Sequence, residues 1–307
     1  MRKLFVAADG RLYLGWRLFA YTFCFFVVLM VAQGLGRRGG QIGPALLYAA
    51  VYIGGALLLT YLFRRRVDRR PWEGMALPPF WRRLPDFLMG YLLGIAMLGA
   101  VVGIAHLAGW VSITGSEAAA SGWASALGYM LAGFLATLPD GVCEELMMRG
   151  YWFQNLAERW PVWLATAIMG AGFGLLHFGE YAPTLGFLVF VTNAVVISTF
   201  LIIARLTTGS LWFGIGWHAA WNWAQGSLLG ISVLTFSDRH PLLKLERHGP
   251  SLFLGGSSTP EAGLLSLGVD LLGLILLLAW ARAGHRPIAP ASSLPPDSRS
   301  LVARKEA

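Results

Sequence analysis

The sequence predicts an all-α fold: a polytopic membrane helix bundle of about eight transmembrane segments, each the ~20 apolar residues that a bilayer requires. Three observations carry this reading. Of the 307 residues, 56% are hydrophobic and only 13% are charged, against roughly a quarter charged in soluble domains. The mean hydropathy is +0.59. The basic residues fall between apolar runs instead of gathering on one face. A water-soluble globular enzyme is thereby excluded, and the net charge of +8 reads as membrane topology, not nucleic-acid binding.

In chain order the apolar segments are Leu14 to Gln33, Pro44 to Phe63, Leu84 to Val111, Ala124 to Asn155, Pro161 to His177, Thr184 to Ala204, Leu211 to Leu229 and Gly263 to Ala281. Arg2 and Lys3 precede the first run as in a signal peptide, but Arg11 and Arg17 interrupt the approach and no small-residue cleavage site precedes Arg37. A retained first helix is expected. The Arg64 to Arg83 segment carries Arg64, Arg65, Arg66, Arg69, Arg70, Arg82 and Arg83, whereas Ser112 to Gly122 has no basic residue. This asymmetry predicts both termini in the cytoplasm and the Gly230 to Ala262 loop outside, in an inner or plasma membrane. Residues 1–284 form the expected membrane domain, with a protease-like core at about 124–229; residues 285–307, rich in Pro, Ser and charge, form an expected disordered cytoplasmic tail. Cys24 and Cys143 lie in apolar stretches, which excludes a disulfide scaffold and a cysteine-based zinc site.

Polar residues inside spans point to chemistry, because each charge there costs at least about 2.5–3.5 kcal/mol on insertion scales. Asp140, Glu144, Glu145 and Arg149 crowd into ten residues of an otherwise apolar helix, just after Pro139. Glu145 and Arg149 are four apart and can pair on one helical face. Glu144 and Asp140, also four apart, have no cation on their own helix. His177 ends the fifth segment one turn after Phe173; His218 and Asn222 share a face of the seventh. Singly, these read as an ion-pair network, a helix-end histidine and an interhelical hydrogen bond. Together, a carboxylate and an imidazole can deprotonate water, while imidazole and amide can donate to an oxyanion. Glu144, His177 and His218 could alternatively hold a divalent metal such as zinc, with one position left for water. Depth is uneven: Glu144 lies roughly 20 Å above the turn near Arg159 and His177 roughly 25 Å, but His218 only about 12 Å above Gly209, at about 1.5 Å per residue. His106 and Asp270 read as packing or cavity residues, and Trp217, Trp221 and Trp223 as candidate cavity walls or anchors.

These segments resemble the CPBP family of intramembrane proteases, which includes type II CAAX prenyl endopeptidases and bacteriocin-processing or Abi proteins. The family pattern E-E-x-x-x-R, F-x-x-x-H and H-x-x-x-N is met in order by Glu144-Glu145 with Arg149, Phe173 with His177, and His218 with Asn222. The match spans about Leu138 to Gly226; Met148 departs from it, since an aromatic residue often precedes the arginine. The resemblance implies an endopeptidase acting on a membrane-associated protein or peptide in the lipid bilayer. Glu144 and His177 would activate water, His218 and Asn222 would stabilise the oxyanion, and Glu145, Arg149 and Phe173 would support them. It leaves metal dependence open. A non-catalytic scaffold or immunity protein of the same fold is the main rival. A proton-coupled transporter is the other, although no inverted repeat accompanies the polar residues.

Overall fold

A computed structural model describes residues 5–7, 10–36, 42–178, 185–231, 240–256 and 259–283. The expected tail at 285–307 and much of the 230–262 loop (232–239, 257–258) lie outside the described residues. Each apolar segment forms a helix: α1 Leu14–Leu35, α2 Ile42–Leu62, α3 Leu84–Leu107, α4 Trp123–Glu145, α5 Val162–Leu176, α6 Leu185–Thr208, α7 Trp212–Trp223 and α8 Leu264–Ala283.

Six of these, not eight, are long and apolar enough to cross a membrane: α1, α2, α3, α4 with its continuation to Leu156, α6 and α8. The 15 residues of α5 span about 22 Å, short of the ~30 Å hydrocarbon core. The 12 residues of α7 gain only a five-residue π-helical turn, Ala224–Leu228. Apolar length in sequence overstates both: of Pro161 to His177 only Val162–Leu176 is α-helical, and of Leu211 to Leu229 only Trp212–Trp223 is, before the π-helical turn. The all-α expectation also needs one amendment. Val111, placed at the end of the third span, opens strand β1 (Val111–Ser116), which pairs antiparallel with β2 (Leu243–Arg247).

The helices form a layered bundle in which α4 packs against α2 and α7, α7 against α3, and α6 against α5 and α8. In the apolar windows of α4 and α6, 56% of residues are buried, against 17–28% in α1, α2, α3 and α8. The first two are therefore the core and the others its lipid-facing coat. Met30 at 70% exposure and Leu107 at 87% would be costly in water and suit hydrocarbon.

Glycines set the closest approaches. A Cβ on Gly90 or Gly94 of α3 would fall 2.0 Å from the Phe213 carbonyl oxygen or 2.6 Å from that of Trp217; one on Gly216 of α7 would meet the Phe87 carbonyl at 2.1 Å. This is small-residue packing of membrane helices, where backbone contact replaces the absent hydrophobic drive.

Not all the arginines are solvated topology markers. Arg17, Arg64 and Arg205 are buried. Arg17 and Arg64 both pair with buried Asp68, at 3.2 and 3.3 Å. Asp68 also accepts from Tyr151 and Asn155. Arg205 donates to the Arg149 carbonyl at 2.6 Å and to the Gly74 carbonyl at 2.8 Å. This network ties α1, α2, α4 and α6 together at the arginine-rich end, opposite the two-stranded sheet, and each buried charge has a charged or carbonyl partner, as burial demands.

Candidate active site

The site is built on α4, α5 and α7. Within α4, Pro139 withholds a backbone donor and Gly141 removes a side chain; a Cβ there would lie 2.9 Å from the Ala219 nitrogen of α7. That approach sets the next turn of α4, with Glu144 and Glu145, against His218. After Glu145 the helix widens into a π-helical turn, Leu146–Trp152, a distortion that recurs at functional sites.

The adjacent glutamates diverge, as their 100° offset requires. Glu145 is fully buried. Its Oε1 accepts from Arg149 Nη1 at 2.8 Å and faces His218 Nδ1 at 3.0 Å. Gly214 of α7 leaves room for the other oxygen, since a Cβ there would be 3.0 Å from Oε2. Arg149 also donates to Ser198 Oγ at 3.1 Å and lies 5.5 Å from the Phe173 ring centroid, within cation–π range. Glu144, by contrast, keeps 22% of its side chain exposed, with Oε2 3.7 Å from His218 Nε2. The former acid is locked into structure; the latter is open to a cavity.

His177 is placed by a second small-residue contact. Gly170 and Gly174 of α5 would clash through a Cβ with Val195 and Val191 of α6, at 2.8 and 3.0 Å. The helix ends at His177, whose Nδ1 is 2.9 Å from the Phe173 carbonyl. A carbonyl can only accept, so Nδ1 is the donor, which in a neutral imidazole leaves the lone pair on Nε2. Phe173 and Phe190 flank the ring, with centroids at 4.7 and 5.4 Å.

Glu144, His177, His218 and Asn222 line one cavity of about 120 Å³, together with Arg149 and Phe173. That volume accommodates several waters. The four side chains share this cavity despite the unequal depths counted along the sequence. Gln154 meets Arg205, which also bonds Gly74, and the Leu211 nitrogen bonds Ala76, so the start of α7 is tied to the 72–76 segment that also holds α6.

Asp140 does not line the cavity; it accepts from Tyr48 of α2 at 2.5 Å. His106 is not a cavity residue but sits exposed at the end of α3, with Nδ1 2.9 Å from the Val111 carbonyl. Trp217 and Trp221 are cavity walls, stacked at 5.1 Å, whereas Trp223 turns away and donates to the Met130 carbonyl. Asn193, Gln225, Thr259 and Glu261 also line the cavity, and sequence reasoning missed them. Asn193 and Gln225 left a signal, as carboxamides in apolar helices; Glu261 left none, lying in a loop with ordinary charges.

Among the described residues no three His, Cys, Asp or Glu side chains, Glu144, His177 and His218 included, converge as a metal-ligand set. What the cavity does offer is a carboxylate and an imidazole lone pair on one side, with an imidazole and a carboxamide on the other.

No curated protein and no solved structure matches the chain. The segment that contains all four of these side chains does have a counterpart: residues 126–224 match the family model of the type II CAAX prenyl endopeptidase Rce1-like proteins, a protease family, and the match is consistent with a CPBP family protease.

Proposed function

We propose that the chain is an intramembrane endopeptidase that hydrolyses a peptide bond of a membrane-associated protein or peptide, of CAAX type or from bacteriocin-like processing. The observation that supports this most is the separation of Glu144 from Glu145: one carboxylate opens to a water-sized cavity beside two imidazoles, while its neighbour is committed to Arg149. In this reading Glu144 takes a proton from a water as that water attacks the scissile carbonyl. His177 Nε2 shares the proton and passes it to the leaving amine. His218 and Asn222, four apart on α7, donate to the tetrahedral oxyanion. As a donor at Nε2, His218 must carry protons on both nitrogens, and Glu145 then orients the ring through Nδ1. Glu145 and Arg149 are positioning residues.

No step is routed through a metal. The test is cleavage of quenched fluorescent peptides ending in a CAAX sequence, with and without a farnesyl group, by the detergent-purified chain. Cleavage that Glu144→Gln abolishes in a still-folded protein is expected. Cleavage at undiminished rate in that variant refutes the assignment.

A further inference from the structure

We propose that Asn193, Glu261, Ser266 and Asp270 form a binding site for one calcium ion at the junction of α6, α8 and the turn Pro260–Ala262. Asp270 is fully buried in α8, and among the described residues neither of its carboxylate oxygens makes a geometrically complete hydrogen bond, although the Asn193 side chain is near enough to interact with it. Ser266 lies one turn earlier on the same face, also fully buried, with its hydroxyl oxygen unpartnered. Across the α6–α8 contact, Asp270 sits beside Asn193 and within electrostatic reach of Glu261.

Asn193 is 1% exposed, and its Nδ2 donates to the Glu261 backbone carbonyl at 3.3 Å. That carbonyl can only accept, so the amide orientation is settled and Oδ1 is the atom left without a partner. Glu261 accepts from Trp221 Nε1 at 2.6 Å through Oε1, and its Oε2 is unpartnered.

Orphaned buried oxygens are rare in proteins, and a fully buried carboxylate beside a second, partly buried one without a counter-charge is rarer. Every orphan here is oxygen, which selects a hard cation over a thiolate- or imidazole-seeking metal. Two carboxylates match a divalent charge. Two Asp270 oxygens with one each from Glu261, Asn193 and Ser266 leave room for the waters or carbonyls that complete the six to eight ligands of calcium. The mixed, irregular donor set suits that ion better than the rigid octahedron of magnesium. The amide and hydroxyl also argue for a ligand apart from the acids, because neither needs a proton to explain its burial. A cation here pins the turn that carries Glu261, one wall of the cavity, to α6 and α8. The site stands whether or not the cavity is proteolytic.

The test uses the full chain in detergent, stripped with EGTA and dialysed against radioactive calcium. Thermal unfolding is followed in parallel by tryptophan fluorescence at rising calcium or magnesium. About one calcium per chain is expected, with an unfolding midpoint that rises with calcium and saturates. Asp270→Asn should weaken calcium binding tenfold or more. Glu261→Gln, on a partly exposed turn, should do the same and covers the case in which Asp270→Asn does not fold. Calcium binding that is negligible in the wild type, matched by magnesium at equal concentration, or unaltered in a folded variant overturns the site.

Discussion

Replacing Glu145 with Gln changes one buried atom pair and should separate structure from chemistry at adjacent residues. The carboxylate accepts from Arg149 at 2.8 Å and faces His218 Nδ1 at 3.0 Å, and both Glu145 and Arg149 are shielded from solvent. Removing one partner of a buried ion pair costs about 3–5 kcal/mol, because the other charge is left uncompensated. The amide oxygen of Gln can still accept from Arg149, and Ser198 still holds its second nitrogen, which places the loss near the lower end, at about 3 kcal/mol. That is a factor on the order of 100 in the folded-to-unfolded ratio. Glu144→Gln breaks no ion pair at hydrogen-bond distance, since its carboxylate is 22% exposed and 3.7 Å from His218 Nε2, and should cost about 1 kcal/mol at most. Two neighbouring isosteric changes should thus differ by about 2 kcal/mol in stability. They should differ the other way in activity: Glu144→Gln inactive, Glu145→Gln reduced about 10- to 100-fold through a mis-set His218. Denaturant or thermal unfolding of the detergent-purified variants, read by tryptophan fluorescence, gives the first comparison, and peptide cleavage gives the second. A Glu145→Gln protein as stable as wild type, or a Glu144→Gln protein equally destabilised, would refute the division of labour.

Asn222→Ala should lower the cleavage rate about 10²–10³-fold without unfolding the protein, as loss of one oxyanion donor does; an unchanged rate removes Asn222 from the mechanism. Gly90→Ala should destabilise strongly, because its Cβ would be 2.0 Å from the Phe213 carbonyl, whereas Gly99→Ala on the same helix meets nothing within 4 Å and should be neutral. Equal melting temperatures for the two would contradict the close packing of α3 on α7. With both termini cytoplasmic, a cysteine at exposed Ser251 should react with an impermeant maleimide from outside intact cells; reaction only after the cytoplasmic face is opened reverses the orientation. The hydrogen bond from Ser121, helped by His240 and Lys244, holds the Glu117 carboxyl below the ordinary glutamate range. A depressed carboxyl stabilises above its unfolded-state pKa and loses that contribution as pH falls through its folded value. Hydrogen exchange in 111–121 should therefore accelerate on acidification below the ordinary glutamate range; Glu117→Gln should remove that dependence, and its persistence there would assign the effect elsewhere.

Membrane residence and the approximate position of each apolar helix were readable in the sequence, because a bilayer imposes length and apolarity locally, residue by residue. The same holds for the Glu145–Arg149 pair, since a four-residue spacing within one helix is geometry that needs no partner. The candidate site residues could be named from their order along the chain, but not their relation in space. Whether Glu144 and His218 meet depends on how closely α4 and α7 approach, which Gly141 allows, and on a π-helical turn that hydropathy does not register. The expected count of eight spans is not confirmed, since the apolar runs at 161–177 and 211–229 fold into α-helices of only 15 and 12 residues. Asn193, Glu261 and Asp270 come from a helix, a loop and another helix 68 and 9 residues apart. Only tertiary packing puts them together, because a buried oxygen's need for a partner is a property of the assembled interior and leaves no periodicity in the chain.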